Sequence, residues 1–214
     1  MLELIYSAFG FFIILGIAES LKKFFHLPSD ITRKIAHILS SILAFFLPYY
    51  LSRVELIILS ILIATVLFIT KNSKIFKSIH GIERATFGEI YFPLSLGLLA
   101  VFFLPSHLRA AQFGLLVLGF SDAMASIIGE SFGKHFIYIK GHKKSFEGSA
   151  AFFITTCILI VIFFPSASFT VYLVGILCAI ILTLLELALI YGLDNLFLPI
   201  LAATLFQYVL FAMV

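Results

Sequence analysis

Of the 214 residues, 62% are hydrophobic and only 12% are charged, with a mean hydropathy of +1.18. A soluble domain carries about a quarter charged residues, so the composition excludes an ordinary water-soluble globular fold. The formal net charge of +3 follows the loop pattern described below and gives no argument for nucleic-acid binding.

A membrane-spanning helix needs about 20 largely apolar residues. Taken in chain order, eight windows approach that description: roughly 4–20, 35–51, 54–70, 88–104, 110–129, 149–164, 170–190 and 195–213. They leave little chain for anything else. The expected fold is an all-α polytopic integral membrane protein of about eight transmembrane helices, forming a single domain over residues 1–214. The first window has no basic n-region and no small-residue cleavage site, so it reads as a span and not as a cleaved signal. Cys157 and Cys178 both fall inside apolar windows, where packing is their default role. No internal repeat is present.

With eight spans the connecting loops alternate sides. Lys22, Lys23, Arg33, Lys34, Lys71, Lys74, Lys77, Arg84, Lys134, Lys140, Lys143 and Lys144 fall on one side, and only Arg53 and Arg109 on the other. The positive-inside bias makes the basic side cytoplasmic and both termini non-cytoplasmic. Acidic residues obey no such rule, yet nine of the eleven also lie towards the cytoplasmic side, Glu3 and Glu55 excepted. Ionisable groups within membrane spans point to function, and here they gather at one depth.

The first concentration is PSDITRKIAH, residues 28–37. Ser29 or Asp30 suits a helix cap. Arg33 and Lys34 lie four and three residues before His37, so each can share a helix face with it. A guanidinium there can grip phosphate, or the two cations can simply anchor the helix at headgroup level. Glu89 opens the fourth window, where it reads equally as a helix-dipole partner.

The stretch GFSDAMASIIGESFGKHF, residues 119–136, places Asp122, Ala125, Gly129 and Gly133 on one helical face. The small residues alone suit close helix packing, but that reading leaves the acid unexplained. Next comes HKKSFEGSAAFF, residues 142–153, with Lys143, Lys144, Ser145, Glu147 and Gly148 at the start of the sixth window. Lysines neutralise phosphate, helix N-termini bind it, and Glu147 is placed to share a divalent cation with Asp122. A capped helix flanked by positive-inside lysines would produce the same letters. Finally, LLELALIYGLDNLFLP, residues 184–199, carries Glu186 within a span and Asp194 and Asn195 at a turn. Asp-Asn closes turns and caps helices without a ligand; Glu186 has no such explanation.

The pattern D-x-x-A-x-x-x-G-x-x-x-G from Asp122 to Gly133, followed by K-K-S-x-E-G from Lys143 to Gly148, resembles the nucleotide-binding pattern of CTP-dependent dolichol kinases. Arg33-Lys34-x-x-His37 and the later Glu186, Asp194, Asn195 and Pro199 resemble the related phytol kinases and CTP-dependent diacylglycerol kinases. The resemblance implies a kinase that moves the γ-phosphate of CTP to an isoprenoid or lipid alcohol, with Mg²⁺, at the cytoplasmic face. It implies Asp122 as principal metal ligand with Glu147 or Asp194 assisting. Ala125, Gly129, Gly133, Lys143, Lys144, Ser145 and Gly148 would lie along the nucleotide. Arg33, Lys34, Glu186 and Asn195 would contact acceptor or phosphate, and the general base would be Asp194, Glu186 or His37. A homodimer is compatible with this reading. CDP-diacylglycerol synthases share the middle pattern and form the alternative, but their later Lys, His and Asp signature has no counterpart in residues 150–214, which contain no lysine, arginine or histidine. A transporter would need polar residues reaching both faces, and these gather at one.

Overall fold

The computed structural model describes residues 1–71, 75–81, 86–139 and 142–213. Lys74, Arg84 and Lys140, three of the cations used to orient the loops, lie outside the described residues. The chain runs through α1 (Leu2–Phe25), α2 (Ser29–Phe46, extended by a 3₁₀ turn Leu47–Tyr49), α3 (Arg53–Thr70), the short α4 (Lys77–His80) and α5 (Gly88–Phe103). It continues through α6 (Leu108–Leu116) and α7 (Asp122–Phe132), β1 (Phe136–Ile139), β2 (His142–Ser145), α8 (Phe146–Phe163), α9 (Phe169–Ala188) and α10 (Asp194–Leu205).

The eight windows all become helices, and the chain is an integral membrane protein. Among the described residues, seven helical segments are long and apolar enough to cross a bilayer. The eighth, α5, has 16 residues, about 24 Å at 1.5 Å per residue, short against a hydrocarbon core of roughly 30 Å. The burial pattern inverts that of a soluble protein. Phe9, Ile61, Ile154, Ile162 and Leu177 each expose more than half their surface, which in water would be an aggregating patch and in a bilayer is the lipid contact. Inside, Phe206 packs on Phe113, Phe164 and Phe163 at 5.1, 4.9 and 5.4 Å between ring centroids. Gly114 lets α6 meet α10 backbone to backbone, since a Cβ there would collide with the Pro199 carbonyl.

Two departures from simple spans border the cavity described below. The fifth span is a rod from Leu108 to Phe132, interrupted by a π-helical turn, Val117–Ser121, immediately before Asp122. A π turn adds a residue to the ladder and re-phases the helix that follows, and such turns concentrate at functional sites. It is held on two sides. Thr156 of α8 donates to the Ser121 hydroxyl at 3.0 Å, and Gly119 lies so close to Ser41 of α2 that a Cβ would overlap it.

The second departure is an antiparallel hairpin, with Phe136 opposite Ser145 and Ile139 opposite His142. The all-helical expectation did not include it. Phe-Ile-Tyr-Ile is a β-prone run between spans where no helix is needed. The cap expected from Ser29 or Asp30 is also absent. Ser29 turns its hydroxyl to the Lys77 carbonyl at 3.4 Å and to the Lys22 ammonium, while Asp30 faces Arg33 at 3.7 Å. The start of α8 does follow the sequence: the Ser145 hydroxyl accepts from the Gly148 N–H at 3.1 Å.

Candidate active site

Helix ends converge where the charges do. The N-terminal half of α2, the body of α7, β2, the start of α8, the end of α9 and the start of α10 enclose a cavity of about 330 Å³. Arg33, Lys34 and His37 enter it from α2, and Asp122, Ala125 and Gly129 from α7. Lys143, Lys144 and Ser145 come from β2, Gly148 from α8, Glu186 from α9, and Asp194 and Asn195 from α10. Of the residues expected at the site, only Gly133 and Glu147 stand outside this lining.

Their placement has local causes. Gly133 ends α7, and a Cβ there would strike the Gly129 carbonyl. Glu147 turns away to His135, taking its backbone N–H at 3.3 Å and meeting its ring Nδ1 at 2.7 Å. A metal shared between Glu147 and Asp122 therefore gains no support from the geometry. The small-residue strip is a contact between helices as well as a wall. A Cβ on Gly148 would come within 2.6 Å of the Ala125 carbonyl, and one on Gly129 within 2.8 Å of the Ser145 hydroxyl.

Buried charge is costly unless paired, and the cavity charges divide on that basis. Lys34 Nζ meets Asp122 Oδ2 at 2.5 Å, both side chains being under a tenth exposed. Lys144 Nζ meets Glu186 Oε1 at 2.6 Å and also reaches the Glu186 carbonyl. These pairs fix the walls. Lys143 lies over the Phe136 ring at 3.6 Å, and Arg33 has only the distant Asp30; among the described residues neither has a close carboxylate partner in the cavity. Asp194 likewise has no cation within ion-pair range among the described residues, its Oδ1 accepting from the Asn195 N–H at 3.0 Å.

Four residues lining this cavity each carry a buried side-chain polar atom with no hydrogen-bond partner among the described residues: Arg33 Nε, His37 Nε2, Ser149 Oγ and Asn195 Oδ1. An unsatisfied buried group costs roughly 1–3 kcal/mol, so four around one space mark a surface shaped for something polar. His37 is fixed by its ring, which packs edge-on to Phe92 at 4.3 Å. The N-terminus of α8 offers less than the sequence suggested, because the Ser145 hydroxyl takes the Gly148 N–H and the His135 carbonyl takes that of Phe146. Among the described residues no group of three His, Cys, Asp or Glu could hold a metal by itself. Asp122 and Asp194 line the same space, which suits a cation that takes one or two carboxylates and completes its shell with phosphate oxygens.

Several lining residues escaped the sequence reading: Thr86, Ser126, Glu130, Phe136, His142 and Tyr191. Ser126 and Glu130 follow Asp122 at steps of four, a visible signal that the small-residue strip overshadowed; Ser126 donates to Glu130 at 3.0 Å. His142 and Tyr191 gave no pattern.

Comparison with known proteins agrees with this picture. A phytol kinase of Synechocystis is 28% identical over 192 residues, covering 86% of this chain and 81% of that one. An uncharacterized protein of Methanocaldococcus jannaschii is 31% identical over 121 residues, 56% of this chain and 58% of its own length. No family model matches, and neither does any solved structure. Across most of its length, then, the chain is similar to a phytol kinase, which supports the lipid-kinase resemblance of its motifs.

Proposed function

We propose that the protein is a CTP-dependent kinase that phosphorylates a membrane isoprenoid or lipid alcohol, releasing CDP at the cytoplasmic face. The observation that carries the reading is the cavity itself: Arg33 and Lys143, which among the described residues have no carboxylate partner in the cavity, the carboxylates Asp122 and Asp194, and four lining residues with an unsatisfied buried polar atom meet in one space at the basic end of a membrane bundle. Phosphoryl transfer asks chiefly for positioning and charge neutralisation, and the name of the Synechocystis homologue points to an alcohol as acceptor.

In this scheme Lys143 and Arg33 neutralise the phosphates, and the Lys144–Glu186 and Lys34–Asp122 pairs hold the walls in register. Mg²⁺, held by Asp122 and Asp194 with the phosphate oxygens, would supply charge neutralisation at the transferred group. The alcohol oxygen forms its bond to the γ-phosphorus while the bond to the β–γ bridging oxygen breaks, and CDP leaves with the electron pair. His37 Nε2 accepts the hydroxyl proton; it has no hydrogen-bond partner among the described residues and lies one helical turn beyond Arg33 along α2. The positive-inside distribution of the cations around the cavity end supports the cytoplasmic orientation.

The test is incubation of purified protein with Mg²⁺, CTP and either phytol or a polyprenol. Alcohol-dependent release of CDP with formation of the lipid monophosphate is expected. Release of pyrophosphate with phosphatidate as acceptor would replace the kinase by a cytidylyltransferase.

A further inference from the structure

We infer that Tyr191, braced edge to face by His142, forms a stacking platform for the nucleotide's pyrimidine ring at the water side of the cavity, with Asn195 reading its edge. The inference rests on the nucleotide-dependent reading above and deepens it. Both residues line the cavity and both lie outside the eight apolar segments, His142 in the hairpin and Tyr191 between α9 and α10. A lipid chain enters from hydrocarbon, whereas an aromatic pair carried by two loops on the aqueous side suits the water-borne substrate. The rings meet edge to face, with centroids 4.6 Å apart and planes at 88°, and Tyr191 remains 50% exposed. Its ring therefore has a free surface.

The turn that carries the ring is held in place. Tyr191 has a left-handed backbone, φ 58°, followed by Gly192 at φ 85°; a non-glycine residue keeps that conformation where the surrounding fold over-determines it. The Tyr191 carbonyl accepts from the Phe87 N–H at 3.2 Å, and Gly192 packs so tightly on Gly88 that a Cβ would overlap the backbone. Four residues after Tyr191, Asn195 lines the same cavity, and its buried side-chain oxygen has no hydrogen-bond partner among the described residues. That acceptor matches the exocyclic amino group of cytosine. A stacked ring with one polar contact at its edge is a common mode of base recognition.

The experiment is equilibrium binding of Mg·CTP to the full-length protein in detergent, with KM for CTP and for the alcohol measured in parallel. Tyr191→Asn removes the ring and tolerates the left-handed backbone; Tyr191→Phe keeps the ring. Tyr191→Asn should weaken CTP binding by about tenfold or more, Tyr191→Phe should bind like wild type, and the KM for the alcohol should stay within about twofold. Unchanged CTP affinity in both Tyr191→Asn and His142→Ala overturns the platform, as does a rise confined to the alcohol's KM. If wild type binds CTP in a Tyr191-dependent way yet phosphorylates no alcohol, the platform stands and the kinase reading falls. If wild type binds no CTP, both fall.

Discussion

Replacing Lys34 with methionine would leave the Asp122 carboxylate buried without its cation. Lys34 Nζ and Asp122 Oδ2 are 2.5 Å apart, with side chains 8% and 7% exposed, so little solvent is available to either charge alone. Removing one partner of a buried pair costs roughly 3–5 kcal/mol. In a chain of this size each kcal/mol lowers Tm by roughly 2–4 °C, which places Lys34→Met roughly 6–20 °C below wild type. The double variant Lys34→Met with Asp122→Leu removes both charges, and apolar replacement of a whole buried pair is often neutral or better; it should regain most of the lost Tm. Thermal unfolding in detergent, without nucleotide, measures all the variants. The double variant should nonetheless stay inactive, because the proposed metal ligand is gone. The reasoning is refuted if the double variant is as unstable as the two single changes added together, with a coupling below about 0.5 kcal/mol.

His37→Gln should lower kcat by about 10²–10⁴ with little change in the KM for CTP, the range for losing a general base; steady-state kinetics at saturating alcohol reads the split. Gly148→Ala brings a Cβ within 2.6 Å of the Ala125 carbonyl and should cost about 1–3 kcal/mol through forced separation of α7 and α8, seen as a lower Tm. Glu89→Gln removes the charge facing the Lys71 ammonium and His80. Lys71 also donates to the Thr86 carbonyl at 2.5 Å, and Thr86 lines the cavity, so this variant should lose both Tm and turnover; an unchanged Tm would show that the pair holds nothing in place.

The spans were legible because apolar length is itself the signal: each of the eight windows lies within a helical segment or differs from it by a few residues at the ends. The cavity residues were legible for the opposite reason, since a charge inside such a window is costly and needs a cause. What the letters could not supply was partnership. Lys34 meets Asp122 across 88 residues of sequence, a relation set by how α2 packs against the rod. Glu147 read as an assistant to Asp122 at a shared cation, yet the hairpin brings His135 beside it and takes it away from the cavity. The π turn at Val117–Ser121 and the ring of Tyr191 depend on tertiary contacts with Ser41, Thr156, Phe87 and Gly88 that no local pattern encodes.

The most direct test of the central claim is the shift in Tm on adding Mg·CTP to wild type and to a Lys143→Ala, Asp194→Asn double variant. Ligand at about 100 times its Kd stabilises a folded protein by roughly 2.7 kcal/mol, so wild type should gain roughly 5–11 °C. The double variant should gain almost nothing, while Lys77→Ala, a cation outside the cavity lining, should respond like wild type. A full shift in the double variant would mean that the nucleotide binds elsewhere, and the cavity would lose its assigned role.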